Sequence, residues 1–328
     1  MGMQRFGRAQ WLFLSGLGLV CASVQAQQDY PNRVIRIIVG DAAGSGADIA
    51  MRLLAQKVGE AWGQQVIVDN RAGANGIIGA ELAARSKPDG YTLLAGVPSM
   101  LAMNQFVYRK LPYNTLRDFA PVTQVATNHF ALVVNPSFPA TSVTRLVELA
   151  KARPGEMLFA SAGVGNQNHL SVEMFATAAG LKLIHVPHKG TAPALTDLMS
   201  GQVAMMITAA APVAPHIAGG KVRLLATAGA ARASAFPETP TIAEAGYPDV
   251  VVIGWTGLVA PIGTPADILT KLSREFGRHL SSPEVKASLT VRGSELTPSS
   301  PEVFGAFIKA EIEKWSKVIR AVGIENSQ

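Results

Sequence analysis

The chain has 328 residues, 48% of them apolar, and its 29 Lys and Arg outnumber 23 Asp and Glu to give a formal charge of +6. The basic residues are scattered, with no long basic run and no aromatics interleaved among them, which excludes the usual nucleic-acid footprint. A lone cysteine, Cys21, excludes a disulfide framework and a thiolate metal site.

At the N-terminus, Arg5 and Arg8 precede an apolar run over 11–20, and Val24-Gln25-Ala26 has the small residues of an export-signal cleavage site. The run is too short to span a membrane, which takes about 20 apolar residues. Val20 is too bulky for lipid attachment at Cys21, and Arg5 and Arg8 are not adjacent, so the expectation is general secretion with cleavage after Ala26. The mature chain then begins at Gln27 and has no cysteine, so its stability rests on packing. At roughly 300 residues it is at the practical limit for one core, and two domains are expected.

The β-branched, nearly continuous apolar run over 34–39 predicts a strand buried on both faces. The turn Gly44-Ser45-Gly46-Ala47-Asp48 follows, and Ile49, Leu53, Leu54, Val58 and Trp62 recur at helical spacing over 48–62. A second strand at 65–68 leads into Asn70-Arg71-Ala72-Gly73-Ala74-Asn75-Gly76 and a helix over 77–84, and a third strand lies at 91–95. This alternation predicts a parallel α/β sheet, whose ligand sites lie beyond the carboxyl ends of its strands.

The pattern restarts with a strand at 130–134, a helix at 142–151 and a strand at 158–160. The turn Ser161-Ala162-Gly163-Val164-Gly165-Asn166 then opens a helix over 169–179 that Gly180 closes. Strands at 183–186, 203–207, 222–226 and 251–260 follow, then Pro261-Ile262-Gly263-Thr264-Pro265 and two more helices. No low-complexity linker separates the two units, so the chain is expected to cross between domains through ordered strands.

A glycine before a helix lets the backbone turn sharply, and the helix's unpaired amides and dipole then favour an anion. The third turn lies in the second unit, so two domains can each bring a helix N-terminus to one ligand, and a diacid would satisfy both. Hydrogen bonds to charged groups contribute roughly 1.5–3 kcal/mol each, so four or five can reach the roughly 8 kcal/mol of micromolar binding after ordering costs.

Individual side chains leave alternatives open. Asp48 suits a helix N-cap, or a ligand amine or hydroxyl; Arg71 suits a carboxylate, solvent or an acidic neighbour; His169 suits the first turn of a helix or a donor into the cleft. Trp255, beside Gly254 and Gly257, suits a hinge or cleft wall, whereas Met205, Met206, Trp62 and Trp315 read as core. His185 reads as a packed strand residue, and Val186-Pro187 between it and His188 excludes a helical metal face. Ile49 stands where a dinucleotide fingerprint needs its third glycine, and Gly44-Ser45-Gly46 lacks the spacing of a nucleophile elbow.

The ordered motifs together resemble the substrate-binding receptors of tripartite tricarboxylate transporters, the Bug family, over nearly the whole mature chain. The resemblance rests on Tyr30-Pro31 with Arg36-Ile37-Ile38-Val39, on the first turn with Asp48 and Arg52, and on Asn70-Arg71 through Gly76 followed by Pro88-Asp89-Gly90-Tyr91-Thr92-Leu93. It continues through the third turn with His169, through His185-Val186-Pro187-His188-Lys189-Gly190 before Pro193-Ala194-Leu195, and through Gly257-Leu258 to Gly263-Thr264-Pro265.

The resemblance implies a type II-like, two-domain periplasmic binding protein of α/β class, each domain a mostly parallel sheet flanked by helices and joined by crossover strands near 125–134 and 251–260. Domain 1 is expected at 27–124 plus 256–328 and domain 2 at 125–255. It further implies a monomeric, non-catalytic receptor without cofactor or metal. Such a receptor closes on a small organic acid, often with waters bridging the carboxylate to the first-domain turns, and delivers it to a membrane permease. The expected ligand-binding residues are Asp41, Ala43, Gly44, Ser45, Asp48, Asn75, Gly76 and Ser99 on one side, and Ser161, Ala162, Gly163, Asn166, His169, His188 and Lys189 on the other.

Three departures from the family pattern bear on the ligand. Gly40-Asp41-Ala42-Ala43 stands where the family commonly has a proline, an aromatic residue and two prolines, so the first turn is expected to be looser and more acidic. His188 replaces a common tyrosine, and Ala204 replaces an acid that often follows Gly201-Gln202-Val203, which argues against an amine on the ligand; the expected ligand is a carboxylate without one, such as a di- or tricarboxylate or an aromatic acid. The competing readings are an exported α/β hydrolase and a ligand-sensing protein for a signalling partner.

Overall fold

The computed structural model describes residues 1–2, 30–290 and 294–328; the leader, Cys21 and the expected cleavage after Ala26 lie outside the described residues. The described strands are β1 (Ile35–Val39), β2 (Val66–Asn70), β3 (Thr92–Gly96), β4 (Phe119–Val134), β5 (Leu158–Ser161), β6 (Ile184–Pro187), β7 (Met205–Ala209), β8 (Arg223–Thr227), β9 (Ile253–Pro261) and β10 (Ser294–Leu296). They run in the order β2-β1-β3-β9-β4-β7-β5-β6, with β8 and β10 also paired to β4.

β1 lies parallel to β2 and β3, and Ile35, Ile37, Ile38 and Val39 are fully buried, as its continuous apolar run requires. β5 is likewise parallel to β6 and β7. Antiparallel strands join these parallel sets. From Phe119 to His129, β4 pairs with β9; from Phe130 onward it pairs with β7 and β8. The sheet therefore changes hands in mid-strand, giving an α/β fold of two domains connected through β4 and β9. β4 begins at Phe119, well before the strand expected at 130–134. The β4–β9 register shifts between Pro121 and Thr123, which absorbs a proline that offers no N–H to the ladder.

Capping moves two helix starts forward. Ser45 Oγ accepts the Asp48 N–H and opens Gly46–Trp62, and Asn166 Oδ1 accepts the His169 N–H and opens Gln167–Ala179. Helices Thr191–Ser200 and Ala210–Ala218 were not expected: the first is short, and Pro212 and Pro215 break the helical pattern of the second. Beyond Pro265, Ala266–Leu280, Pro283–Thr290 and Pro301–Val322 form, with β10 among them, in place of two helices.

One core joins Phe130, Phe159, Phe175, Trp315 and Ile319; another joins Ile38, Met100, Trp255 and Phe304. The Pro301–Val322 helix thus contributes to both. Glu311 on that helix is buried and accepts both indole N–H groups, Trp255 Nε1 at 2.8 Å and Trp315 Nε1 at 3.0 Å. Trp255 is therefore a core residue on the crossover strand, and Met205, Met206 and Trp315 are core as expected, whereas Trp62 is only half-buried. Among the described residues no helix is long and apolar enough to cross a membrane.

Candidate functional site

The turn after β1 is held by an ionic network. Gly44, at φ 84°, donates its N–H to Asp48 Oδ2 at 2.9 Å, and Arg52 Nε donates to the same oxygen at 3.1 Å. Arg52 Nη2 reaches Asp48 Oδ1 at 3.0 Å and Asn70 Oδ1 at 2.8 Å, while Asn70 Nδ2 donates to the Asp41 carbonyl at 3.1 Å. Burial opposes the charge on Asp48, but hydrogen bonds from Arg52, Gly44 and Asn70 outweigh it and hold its pKa below the usual carboxylate value. Asp48 therefore builds the turn. Asp41 has no such support: burial pushes its pKa up to about 6. Ala43 and Gly44 are exposed at the rim, and Ser45 is half-buried.

The turn after β2 packs against the first. A Cβ on Gly40 would lie 2.6 Å from Met100 Sδ and 3.0 Å from Gly76 Cα, and one on Gly76 would lie 2.6 Å from Met100 Cγ. Met100 belongs to the single wide helical turn Ser99–Met103 after β3, so the ends of β1, β2 and β3 converge here, with Ser99 half-buried at the start of that turn. Ala74 and Asn75 both have positive φ, 47° and 52°, an uncommon left-handed conformation for non-glycine residues. Arg71 does not join them. It is exposed, and its Nε donates to Asp69 Oδ2 at 3.0 Å, a carboxylate that Arg36 also holds.

The turn after β5 meets the second turn. Asn75 Nδ2 donates to the Val164 carbonyl at 2.7 Å and to Tyr108 Oη at 3.2 Å, and Asn104 Nδ2 donates to the Asn75 carbonyl at 3.1 Å. A Cβ on Gly163 (φ 146°) would lie 2.8 Å from Asn75 Oδ1, and one on Gly165 (φ 72°) 2.5 Å from Val107 Cγ1. Only glycine permits this approach, because an L side chain would both clash and strain the backbone.

Behind the third turn, Ser161 is fully buried and His185 Nε2 lies 2.6 Å from its Oγ. The Gly163 N–H donates to Ser161 Oγ at 3.1 Å, and Gly165 N–H donates to His169 Nδ1 at 3.1 Å. Burial, and then the neighbouring His169 and His188, push the His185 pKa down to about 3. His188 N–H donates to the Ser161 carbonyl at 3.0 Å and Gly190 N–H to the Ala162 carbonyl at 3.2 Å, tying the β6 end to the turn. The His188 ring itself faces away, onto Asp197 Oδ2 at 2.7 Å and the Val186 carbonyl at 3.1 Å, and Lys189 is exposed.

The structure thus brings together the turns bearing Asn75, Gly76, Ser161, Ala162, Gly163, Asn166 and His169. Asn104, Val107, Tyr108 and His185 were missed. Asn104, Val107 and Tyr108 carry no motif. His185 reaches Ser161 only because β5 and β6 pair with Phe159 opposite His185, a register no local pattern reveals.

The family description "Tripartite tricarboxylate transporter family receptor" matches residues 50–324. The chain belongs to this family. The receptor is 37% identical to protein BugT of Bordetella pertussis over 324 residues, 98% of this chain and 99% of BugT. It is also 37% identical to the UPF0065 protein of the tcbD-tcbE intergenic region of Pseudomonas sp. strain P51, over 97% of this chain and 95% of that relative. Among solved structures, R. palustris Rpa4515 with adipate superposes at a TM-score of 0.88, with 36% identity, over 90% of the receptor and 99% of that protein. MatC of Rhodopseudomonas palustris with bound malate superposes at 0.83, with 30% identity, over 88% and 100%. The periplasmic binding protein BugD superposes at 0.85, with 31% identity, over 90% and 99%. The family is one of solute receptors and not enzymes, and the buried Ser161 hydroxyl, engaged by Gly163 and His185, is closed to a substrate.

Proposed function

We propose that this receptor is exported, loses its leader after Ala26, and acts in the periplasm as a monomer that captures a small carboxylate and delivers it to a tripartite tricarboxylate permease. The observation that carries the reading is the meeting of two glycine turns at helix N-termini from opposite halves of the sheet, Asn75 against Val164 at 2.7 Å. Helix N-termini stabilise anions through unpaired amides and the dipole. The ligand lies between these turns, with Asp41, Ala43, Gly44, Ser45, Asp48, Asn75, Gly76 and Ser99 on one side and Ser161, Ala162, Gly163, Asn166, His169, His188 and Lys189 on the other. Of these, Asp48, Ser161 and His188 act by holding the turns. Domain 1 comprises 27–124 plus 256–328 and domain 2 comprises 125–255, both boundaries falling within the crossover strands β4 and β9.

Relatives holding adipate and malate support a dicarboxylate without an amine, as does Ala204 in place of an acid. Calorimetry on the mature protein tests this. Micromolar binding of adipate or malate with no heat from glutamate or aspartate is expected; tight binding of the amino acids alone overturns the ligand class. A membrane-reconstituted permease whose uptake does not depend on the receptor overturns the delivery role.

A further inference from the structure

We propose that the stacked imidazoles of His169 and His185 form a positioning element that holds the Ser161–Gly165 turn in its anion-receiving geometry before a ligand arrives. This inference rests on the receptor reading above and assigns His185 a role that its place in a strand does not suggest.

Three rings from two strands and a helix lie nearly parallel. The Phe159 and His185 centroids are 4.9 Å apart at 17°, and those of His185 and His169 are 3.8 Å apart at 13°. Each imidazole then holds one glycine of the turn. His169 Nδ1 accepts the Gly165 N–H directly at 3.1 Å. His185 acts through Ser161: its Nε2 lies 2.6 Å from Ser161 Oγ, which accepts the Gly163 N–H at 3.1 Å and sits 3.0 Å from the Gly163 carbonyl. Whichever nitrogen of His185 carries the proton, the hydroxyl finds one partner on the ring and another on Gly163.

The arrangement requires uncharged rings. His169 Nδ1 is an acceptor and its Nε2 faces Glu173 Oε1 at 3.5 Å, so its proton sits on Nε2. A cationic His185 stacked at 3.8 Å would repel any charge on His169. Burial above all keeps His185 neutral far below neutral pH. A turn fixed in this way loses less conformational freedom on binding than a loose glycine loop. The stack is also part of the core around Phe159, so the test must separate positioning from mere stability.

His185→Phe keeps the stacked shape and removes Nε2; His185→Gln returns a polar group toward Ser161 without the ring. In the full mature receptor, adipate and malate titrations should show H185F binding at least ~10-fold more weakly, with a melting temperature within a few degrees of wild type. H185Q should recover to within ~3-fold in affinity. S161A/H185F should bind no worse than H185F alone, since both residues act on the same amide. Amide exchange at Gly163, read by NMR without ligand, should accelerate ~10-fold in H185F. Unchanged Gly163 exchange in H185F, or affinity losses that follow the melting temperature equally in H185F and H185Q, would overturn the proposal. If wild type binds neither diacid, the dicarboxylate reading fails while the exchange experiment still decides whether His185 positions the turn.

Discussion

The turns at the two ends of the sheet begin from the same motif, glycines ahead of a helix, yet they are built by different forces. The rim of β1 and β2 is ionic and partly exposed: Asp48, Arg52 and Asn70 brace it, and Asp41 adds an acid with no cation paired to it among the described residues. The rim of β5 is buried and neutral, braced by imidazoles stacked on Phe159. Ion pairs tolerate solvent and depend on charge; a neutral stack excludes solvent and depends on the absence of charge. The difference teaches that two turns of one motif can be held by opposite means, one by ion pairs that need charge and one by rings that need its absence.

The largest expected effect is in acid. The folded-state pKa of His185, about 3, lies below its ordinary 6.5, so the folded protein binds fewer protons than the unfolded chain between these values, and stability falls as pH drops through that window, by roughly 2–4 kcal/mol. Asp41 runs the other way. With its pKa raised from 3.8 to about 6, it favours the folded state at low pH, and that contribution of roughly 1–3 kcal/mol is lost as pH rises through 6. Urea titrations across pH 3.5–7.5 should therefore show H185F losing the acid slope, and D41N more stable than wild type at pH 7 but not at pH 4. Matching slopes in both variants would erase the contrast between the rims.

Next in size is a pair of glycine substitutions. Gly163→Ala places a methyl 2.8 Å from Asn75 Oδ1 at a φ of 146°, whereas Gly44→Ala, at φ 84°, has nothing within 4 Å of its new methyl. Both carry backbone strain of about 1–2 kcal/mol, but only the first obstructs the meeting of the rims. Calorimetry should show roughly 100-fold weaker diacid binding for G163A, about 2.7 kcal/mol, and less than about 10-fold for G44A. Equal losses would mean that strain alone governs the site.

Asn75→Gly comes third. Glycine keeps the positive φ of 52° and deletes the bonds to Val164 and Tyr108, which are worth about 1 kcal/mol each net, so affinity should fall roughly 5- to 30-fold with little change in melting temperature. The smallest effect is expected for Arg71→Ala, where an exposed pair with Asp69 contributes at most about 0.5–1 kcal/mol and diacid affinity should stay within about 2-fold.

The strands that were legible were those whose apolar runs are long or β-branched, such as β1, β3 and β9. Two kinds of element escaped. Thr191–Ser200 and Ala210–Ala218 are short, and Pro212 and Pro215 hide the second, so their helicity depends on packing against the sheet more than on pattern. The first half of β4 was hidden because Pro121 argues against a strand until β9 supplies a bulged partner. In the site, Gly44, Gly76, Gly163 and Gly165 were visible because positive φ leaves a compositional trace; Asn166 was read as a ligand contact, and its role as a helix cap emerged only with the structure. Whether Asp48 and Arg71 point at a ligand or at each other's neighbours was not visible, because a charged side chain looks the same in sequence with or without a partner.

The sequence by itself determined the family, the α/β class and the glycine turns at strand ends, since these follow from local backbone requirements and periodicity. The tertiary structure alone decided that Asn75 reaches Val164, that Asn70 joins the Asp48–Arg52 pair, and that His185 stacks on His169 behind Ser161. Those outcomes depend on which strands become neighbours and in what register, and pairing over long sequence separations is set by the packing of the whole sheet.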